Sequence, residues 1–415
     1  MTCKISLSKN AILRKEWFGC LLCNTANGSF YQFNEDSFEI IKELISPLTI
    51  TELHKILKEK GFTISKNKLL IFLEGLCLDQ LLEKNADQKG LIFFEEKSNP
   101  RKDCLASPAS VTIYITNICS KACKHCVNKS SPAHQESEYS FDKWAYILKK
   151  LRNFGVCSIV ITGGEPLLRS DIFDILEEAS RLKFSISLLT DFDEISDAQI
   201  IRLKKISRLN DIQVSLDGES EKTHDFIRGA GSFNKAIRRM SLLKKHKIPY
   251  TISTTVNNRN INEIDGIVRI YKKYSAKYLY MNPLAPYGRA KEAMKGWFLS
   301  DEQLFLLGKK YLQLIINGDI DSGNPFWEEN IDKINDEQFY PFKGALTAIS
   351  LGIYNFSIGS QGECYLDSKM KSEDILYLGN ALTDDIENMW HHPKLNPLRS
   401  NFGLSEFAFI DQSKI

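Results

Sequence analysis

Three cysteines stand close together in the stretch Thr116-Asn117-Ile118-Cys119-Ser120-Lys121-Ala122-Cys123-Lys124-His125-Cys126. Three thiolates on one loop can each hold an iron of a cubane 4Fe-4S cluster, leaving the fourth iron without a protein ligand. A cluster held by four cysteines is saturated and suits electron transfer. One held by three lets the amine and carboxylate of an incoming small molecule coordinate iron directly. Zinc is the other metal to weigh, and it wants four protein ligands in a tetrahedron. His125 is the available fourth donor, but it adjoins Cys126 and would strain to reach the same ion, and no second cysteine pair occurs nearby.

A loop of this kind must be held by something rigid. From Ser110 onward short apolar runs alternate with amphipathic helical patterns about six times, the signature of βα units and a parallel sheet. Strands are expected at Val111 to Ile115, Ser158 to Thr162, Ser185 to Thr190, Ile212 to Leu216, Thr251 to Val256 and Tyr278 to Asn282. Helices are expected at Phe141 to Phe154, Asp171 to Leu182 and Phe233 to His246, the first and last each preceded by a serine suited to N-capping. Six units fall short of a closed eight-fold barrel. The cysteines follow the first strand and Thr162-Gly163-Gly164-Glu165-Pro166 ends the second, where ligand-binding loops belong in such folds. Glycines permit close backbone approach, and Glu165 offers an anionic partner for an ammonium. Alone, the glycine pair could be only a turn.

The 415 residues predict two or three domains, and the near balance of 54 basic and 52 acidic side chains leaves no chain-wide field for nucleic acid. No apolar run is long enough to span a bilayer, and the N-terminus has no export signal, so a cytoplasmic protein is expected, with no membrane partner. In a reducing compartment its ten cysteines are free for metal or chemistry rather than a disulfide framework. Residues 12 to 34 carry strand-like stretches with a tight turn at Ala26-Asn27-Gly28, followed by helical patterns at Asp36 to Ile45, Thr51 to Lys60 and Lys66 to Gln80. Cys20 and Cys23 lie an odd offset apart on one strand, which points them to opposite faces and favours core packing. A polar linker is expected at Lys97 to Lys102, a helix near Asp301 to Ile316, an acidic patch from Glu328 to Glu337 and strand-like segments around Ala348 to Phe356.

The Cys-x3-Cys-x2-Cys spacing, with an aromatic-type residue before the last cysteine, resembles the radical S-adenosylmethionine (SAM) superfamily. Gly163, Gly164 and Glu165 match its GGEP motif, whose carboxylate and backbone grip the methionine amino group. Ser215, Asp217 and Arg228 resemble its ribose and carboxylate contacts, Asn257 resembles a further cofactor contact, and adenine would lie against the loop holding His125. Each of these could singly be a turn or a cap. The third strand ends in Thr190-Asp191-Phe192 where the family has a Thr-Asn-Gly turn, which puts a close backbone approach at that edge in doubt. The resemblance implies one 4Fe-4S cluster on Cys119, Cys123 and Cys126, bound SAM, and an external one-electron donor such as flavodoxin or ferredoxin. Reductive cleavage of SAM would then yield a 5'-deoxyadenosyl radical.

Residues 10 to 86 resemble the PqqD-like winged-helix element that captures leader segments of ribosomally made precursor peptides. That resemblance implies a leader strand added along Phe30, Tyr31, Gln32 and Phe33, with Lys68 and Phe72 on the third helix setting specificity. A winged helix can also bind DNA, but thirteen basic against thirteen acidic residues over positions 1 to 98 argue for peptide. Residues 301 to 415 resemble a SPASM domain stripped of its cysteines: Phe356 to Cys364, Leu378-Gly379-Asn380 and Trp390 echo its pattern, yet only Cys364 remains after Cys157. One thiolate cannot hold an auxiliary cluster.

The architecture expected is therefore α/β. A partial (β/α)6 barrel at 105 to 300 is preceded by a small winged-helix α+β domain at 1 to 98 and followed by a degenerate SPASM/twitch-like extension at 301 to 415. The implied reaction is hydrogen abstraction from a precursor peptide leading to a thioether or carbon-carbon cross-link. The alternatives are redox-neutral epimerisation with Cys364 as hydrogen donor, and, in a different class, a non-catalytic peptide-binding adaptor.

Overall fold

The computed structural model describes residues 3–84, 91–93, 104–134, 137–191, 195–321, 354–366, 376–396 and 399. The expected linker, the acidic patch, Phe192 and the first part of the strand-like segment before Phe356 lie outside them.

The N-terminal strands are β1 (Ile5–Leu7), β2 (Ala11–Glu16), β3 (Gly19–Asn24) and β4 (Phe30–Asn34). Next come helices α1 (Glu35–Glu43), α2 (Ile50–Glu59) and α3 (Lys66–Leu78), then β5 (Leu82–Lys84) and β6 (Leu91–Phe93). Strands β4, β3, β2 and β6 pair in that order, while β1 pairs with β5. Glycine permits the turn before β4, where Gly28 adopts φ +82°. Helix α2 starts on a capping box, Thr49 accepting from the Glu52 N–H and Glu52 reaching back to Thr49. Leu53 and Leu57 face Leu69, Leu73 and Leu13 in a core of their own.

The second sheet begins with β7 (Ser110–Tyr114), α4 (Phe141–Asn153), β8 (Ser158–Thr162), α5 (Ile172–Arg181), β9 (Ser185–Leu189), α6 (Asp197–Lys205) and β10 (Leu209–Ser215). It continues through α7 (Glu221–Arg228), α8 (Ser232–His246), β11 (Thr251–Val256), α9 (Ile264–Tyr274), β12 (Tyr278–Pro283), α10 (Ala290–Ala293) and α11 (Asp301–Ile316). The C-terminal part adds β13 (Asn355–Ile358), β14 (Glu363–Tyr365), β15 (Gly379–Asn380) and α12 (Ile386–Trp390). Six strands, β12 to β7, run parallel, and β13 extends them in parallel from β7 before β14 and β15 turn antiparallel. The C-terminal region thus shares a sheet with the βα region. Two serine expectations change in the structure. Ser140 sits at the α4 N-cap without a side-chain bond, and Ser232 is the first residue of α8 behind Gly231, because Asp225 reaches over from α7 to accept the Gly231 and Phe233 N–H groups.

Along the six strands one face is buried under helices, as at Val111, Ile159, Ile212, Ile252 and Leu279. The opposite face carries Thr112, Val160, Ser187, Gln213, Ser253 and Tyr280, all partly exposed, with Thr112, Val160 and Ser187 in register with one another and Ser253 in register with Tyr280. A closed eight-fold barrel fills that space with bulky branched side chains. Here that face mixes hydroxyl and amide side chains with Val160 and stays partly exposed. No helix among the described residues is long and apolar enough to cross a membrane.

Candidate functional site

The cysteine loop leaves the C-terminal end of β7 and is gripped from both sides by backbone. On one side Gly164 N–H donates to the Thr116 carbonyl at 2.7 Å and Glu165 N–H to Ile118 at 2.8 Å. This approach needs glycine: Gly163 has φ +132°, and a Cβ on Gly164 would fall 2.0 Å from the Ile118 oxygen. The close approach expected of the glycine pair is therefore made to the cysteine loop itself. On the other side Gly288, at φ +59°, passes against Cys126 and Val127, where a Cβ would lie 2.4 Å from the Cys126 oxygen. Arg289 then binds three loop carbonyls, with Nε to Cys123 at 2.8 Å, Nη2 to Ser130 at 2.8 Å and its N–H to Cys126 at 3.0 Å. Sequence reasoning did not single out Arg289 as a site residue. Its signal was a glycine-arginine pair in the loop that follows the last barrel strand.

Cys119, Cys123 and Cys126 are all partly buried. Burial, reinforced by Glu165 and the neighbouring thiolates, pushes the Cys119 thiol up to about 12, and burial raises Cys123 as well. A metal that binds them must displace their protons. Among the described residues no three His, Cys, Asp or Glu side chains converge as a single ion requires. The thiolates of a cubane each stand on a different iron, so three thiols on one clamped loop suit a cluster better than zinc.

Behind the loop, Glu165 is fully buried and accepts from Leu167 N–H at 2.9 Å, Asp191 N–H at 2.6 Å and the Thr190 hydroxyl at 2.5 Å. Burial lifts its carboxyl to about 7 despite these bonds. Asp217, fully buried at the end of β10, receives Arg228 Nε at 2.5 Å and Thr255 N–H at 2.8 Å. Burial opposes its charge, but Arg228 and the nearby histidines outweigh it and hold Asp217 below its ordinary value. Arg228 Nη2 donates to His125 Nε2 at 3.1 Å, so the ring proton of neutral His125 sits on Nδ1, which is buried without a hydrogen-bond partner. Burial lowers His125 to about 4 and keeps it neutral near pH 7. An orphaned ring N–H beside three thiols fits a site built for a polar cofactor.

The structure thus brings Cys119, Cys123, Cys126, His125, Gly163, Gly164, Glu165, Asp217 and Arg228 into one linked network. Ser215 ends β10 in register with Ser253, partly exposed. Asn257 is buried within a turn, its side-chain oxygen accepting from Arg259 N–H at 3.0 Å and its N–H donating to Asn260. Cys364 is packed in the core on β14, its thiol directed to the Gly362 carbonyl at 3.4 Å and its pKa raised by burial. In the N-terminal unit β4 ends its sheet, and among the described residues no strand pairs with its outer edge. Phe30 is exposed, Tyr31 half-buried and Lys68 exposed, whereas Phe33 is buried edge-on against Phe72 at 5.9 Å between ring centres. Gln32 donates to the Tyr354 hydroxyl at 3.0 Å, just ahead of β13.

Residues 113–270 match the sequence profile of the Radical SAM superfamily, so the barrel with its clamped cysteine loop is a radical SAM domain. The chain is 27% identical over 198 residues to the sporulation killing factor maturation protein SkfB of Bacillus subtilis, covering 48% of each. It is 26% identical over 300 residues to the mycofactocin maturase MftC of Mycolicibacterium smegmatis, covering 70% of this chain and 72% of that one. An AdoMet-dependent heme synthase of Methanosarcina barkeri is 27% identical over 188 residues, 45% of this chain and 54% of the relative. The chain therefore spans about half the length of SkfB and of the heme synthase. In fold it resembles SuiB of Streptococcus suis, crystallised with its precursor peptide SuiA, at a TM-score of 0.70 and 16% identity over 95% of this chain and 90% of that one.

Proposed function

We propose that this protein is a radical SAM enzyme that matures a ribosomally made precursor peptide. The observation that carries the reading is the cysteine loop, pinned on one flank by the Gly163-Gly164 turn and on the other by Gly288 and Arg289, at the C-terminal ends of six parallel strands. Cys119, Cys123 and Cys126 would hold one 4Fe-4S cluster. When bound, the reduced cluster and SAM supply a 5'-deoxyadenosyl radical able to take hydrogen from carbon. The chain's own residues do the positioning. Glu165 would pair with the methionine ammonium, Arg228 and His125 would line the same site, and the partly exposed strand face with its hydroxyl side chains would receive the peptide segment and shield it from bulk water.

The peptide assignment draws on the maturases SkfB and MftC and on the likeness of the fold to SuiB over nearly the whole chain. The first 98 residues would act as a PqqD-like winged-helix leader-binding domain, with the open edge of β4 as the place where a leader strand adds. The region after residue 300 would be a SPASM-like extension without auxiliary-cluster ligands. Cross-linking is the preferred outcome over epimerisation, since the one candidate hydrogen donor in that extension, Cys364, is wholly buried.

Anaerobic reconstitution should load about four irons per chain. Cys123→Ala should abolish deoxyadenosine formation from SAM under dithionite. Zinc in place of iron, or deoxyadenosine still formed by the variant, defeats the assignment.

A further inference from the structure

Asp191 follows the third barrel strand, and the structure gives it four contacts, one through its backbone and three through its carboxylate. Asp191 N–H fixes Glu165 Oε2 at 2.6 Å. Its carboxylate takes Lys121 Nζ at 2.7 Å, Arg228 Nη1 at 3.3 Å and the guanidinium of Arg239 from α8. Lys121 lies between Cys119 and Cys123 and is buried, so its ammonium has little water to turn to. Arg228 is shared with Asp217 and with His125. One aspartate therefore touches the cysteine loop, the glutamate of the glycine turn and the arginine that orients His125. These three elements follow separate strands, β7, β8 and β10.

We propose that Asp191 is a positioning residue that sets the cysteine loop relative to the cofactor-facing side chains, through Lys121 on one arm and Arg228 on another. The third arm, to Arg239, anchors the node to the outer helix and reaches neither the loop nor His125. Asparagine at 191 would keep the N–H to Glu165 while losing the charge that holds Lys121. The inference rests on the radical SAM reading of the same site.

The arms can be separated in the anaerobically reconstituted full chain. Iron release to a chelator, and the change in the reduced cluster's paramagnetic resonance spectrum on adding SAM, would be followed for Lys121→Met, Asp191→Asn, Asp191→Glu and Arg239→Met. Outer partners of metal ligands are worth roughly 10–100-fold in metal affinity, so Lys121→Met and Asp191→Asn should release iron faster by about tenfold or more and alter the SAM-induced spectral change. Arg239→Met should lower the melting temperature yet keep wild-type iron release, and Asp191→Glu should recover part of the loss. Wild-type iron release and spectra in Lys121→Met and Asp191→Asn would overturn the proposal, as would Arg239→Met matching Asp191→Asn. If Asp191→Asn does not fold, Lys121→Met decides alone. Failure of the wild-type chain to bind iron would instead sink the parent reading.

Discussion

Arg14, fully buried, and Asp191, partly buried with 14% of its side chain exposed, are charges that join distant parts of the chain, one between the N-terminal unit and the barrel, the other inside the site. Arg14 has a single ionic partner: Nε meets Glu16 at 2.6 Å, Nη1 reaches Ser107 at 2.6 Å, the Pro108 carbonyl at 3.1 Å and the Gly155 carbonyl at 2.9 Å, and Nη2 is buried without a hydrogen-bond partner. Glu16 in turn accepts from Ala106 N–H at 2.7 Å. Beside them Cys23 of β3 meets Cys157 at 2.7 Å between sulfurs, sealing the same seam. At Asp191 a single carboxylate serves three cations, one of which is shared with Asp217. Burial works against that charge, but Arg239, Arg228 and Lys121 together hold Asp191 far below its ordinary value. A pair closed by backbone carbonyls makes a joint. A shared charge makes a node whose members can be displaced relative to one another.

The comparison can be broken most forcefully at Arg14. Breaking a buried pair by removing one partner costs about 3–5 kcal/mol, because the other charge is left buried and uncompensated. Arg14→Met should therefore lower unfolding stability by roughly that amount in a urea titration, with iron content per folded chain unchanged. Loss of iron without loss of stability would mean that the seam and the site are not separate devices.

A smaller effect tests the site. With its carboxyl at about 7 in the cofactor-free protein, Glu165 is protonated and neutral at lower pH and cannot pair with an ammonium. SAM affinity should rise as pH is raised from about 6 to about 7.5, where the carboxylate forms, and Glu165→Gln should flatten that slope and bind more weakly throughout. Calorimetric titration across that range decides it, and an equally steep slope in the variant would assign the proton elsewhere.

The smallest effect serves as the control that touches neither device. Thr49→Ala removes the α2 capping box and should cost about 1 kcal/mol of stability. Iron loading and SAM affinity should stay at wild-type values, and a change in either would couple the N-terminal unit to the site.

Much of the scaffold was legible because its signals are local. Ser158–Thr162 and Thr251–Val256 form with the expected bounds, since short apolar alternation on one buried face needs no distant partner to be read. Cys20 and Cys23 point to different cores, as their odd spacing on a strand requires. The helix caps were less legible. Ser232 looked like a cap, but Asp225, seven residues earlier, takes that role across a helix junction.

By itself the sequence determined the clamped chemistry: three thiols at fixed spacing, a glycine pair ahead of Glu165, and the order of strands that carries both to one end of a sheet. Tertiary structure alone decided who their partners are. The glycines proved to make room for the cysteine loop, Arg289 to hold its carbonyls, and Asp191, read as a missing glycine turn, to gather Lys121, Arg228 and Arg239. The reason is physical: periodicity and motif spacing are set by neighbours along the chain, whereas a buried charge is stable only with partners that folding brings from far away.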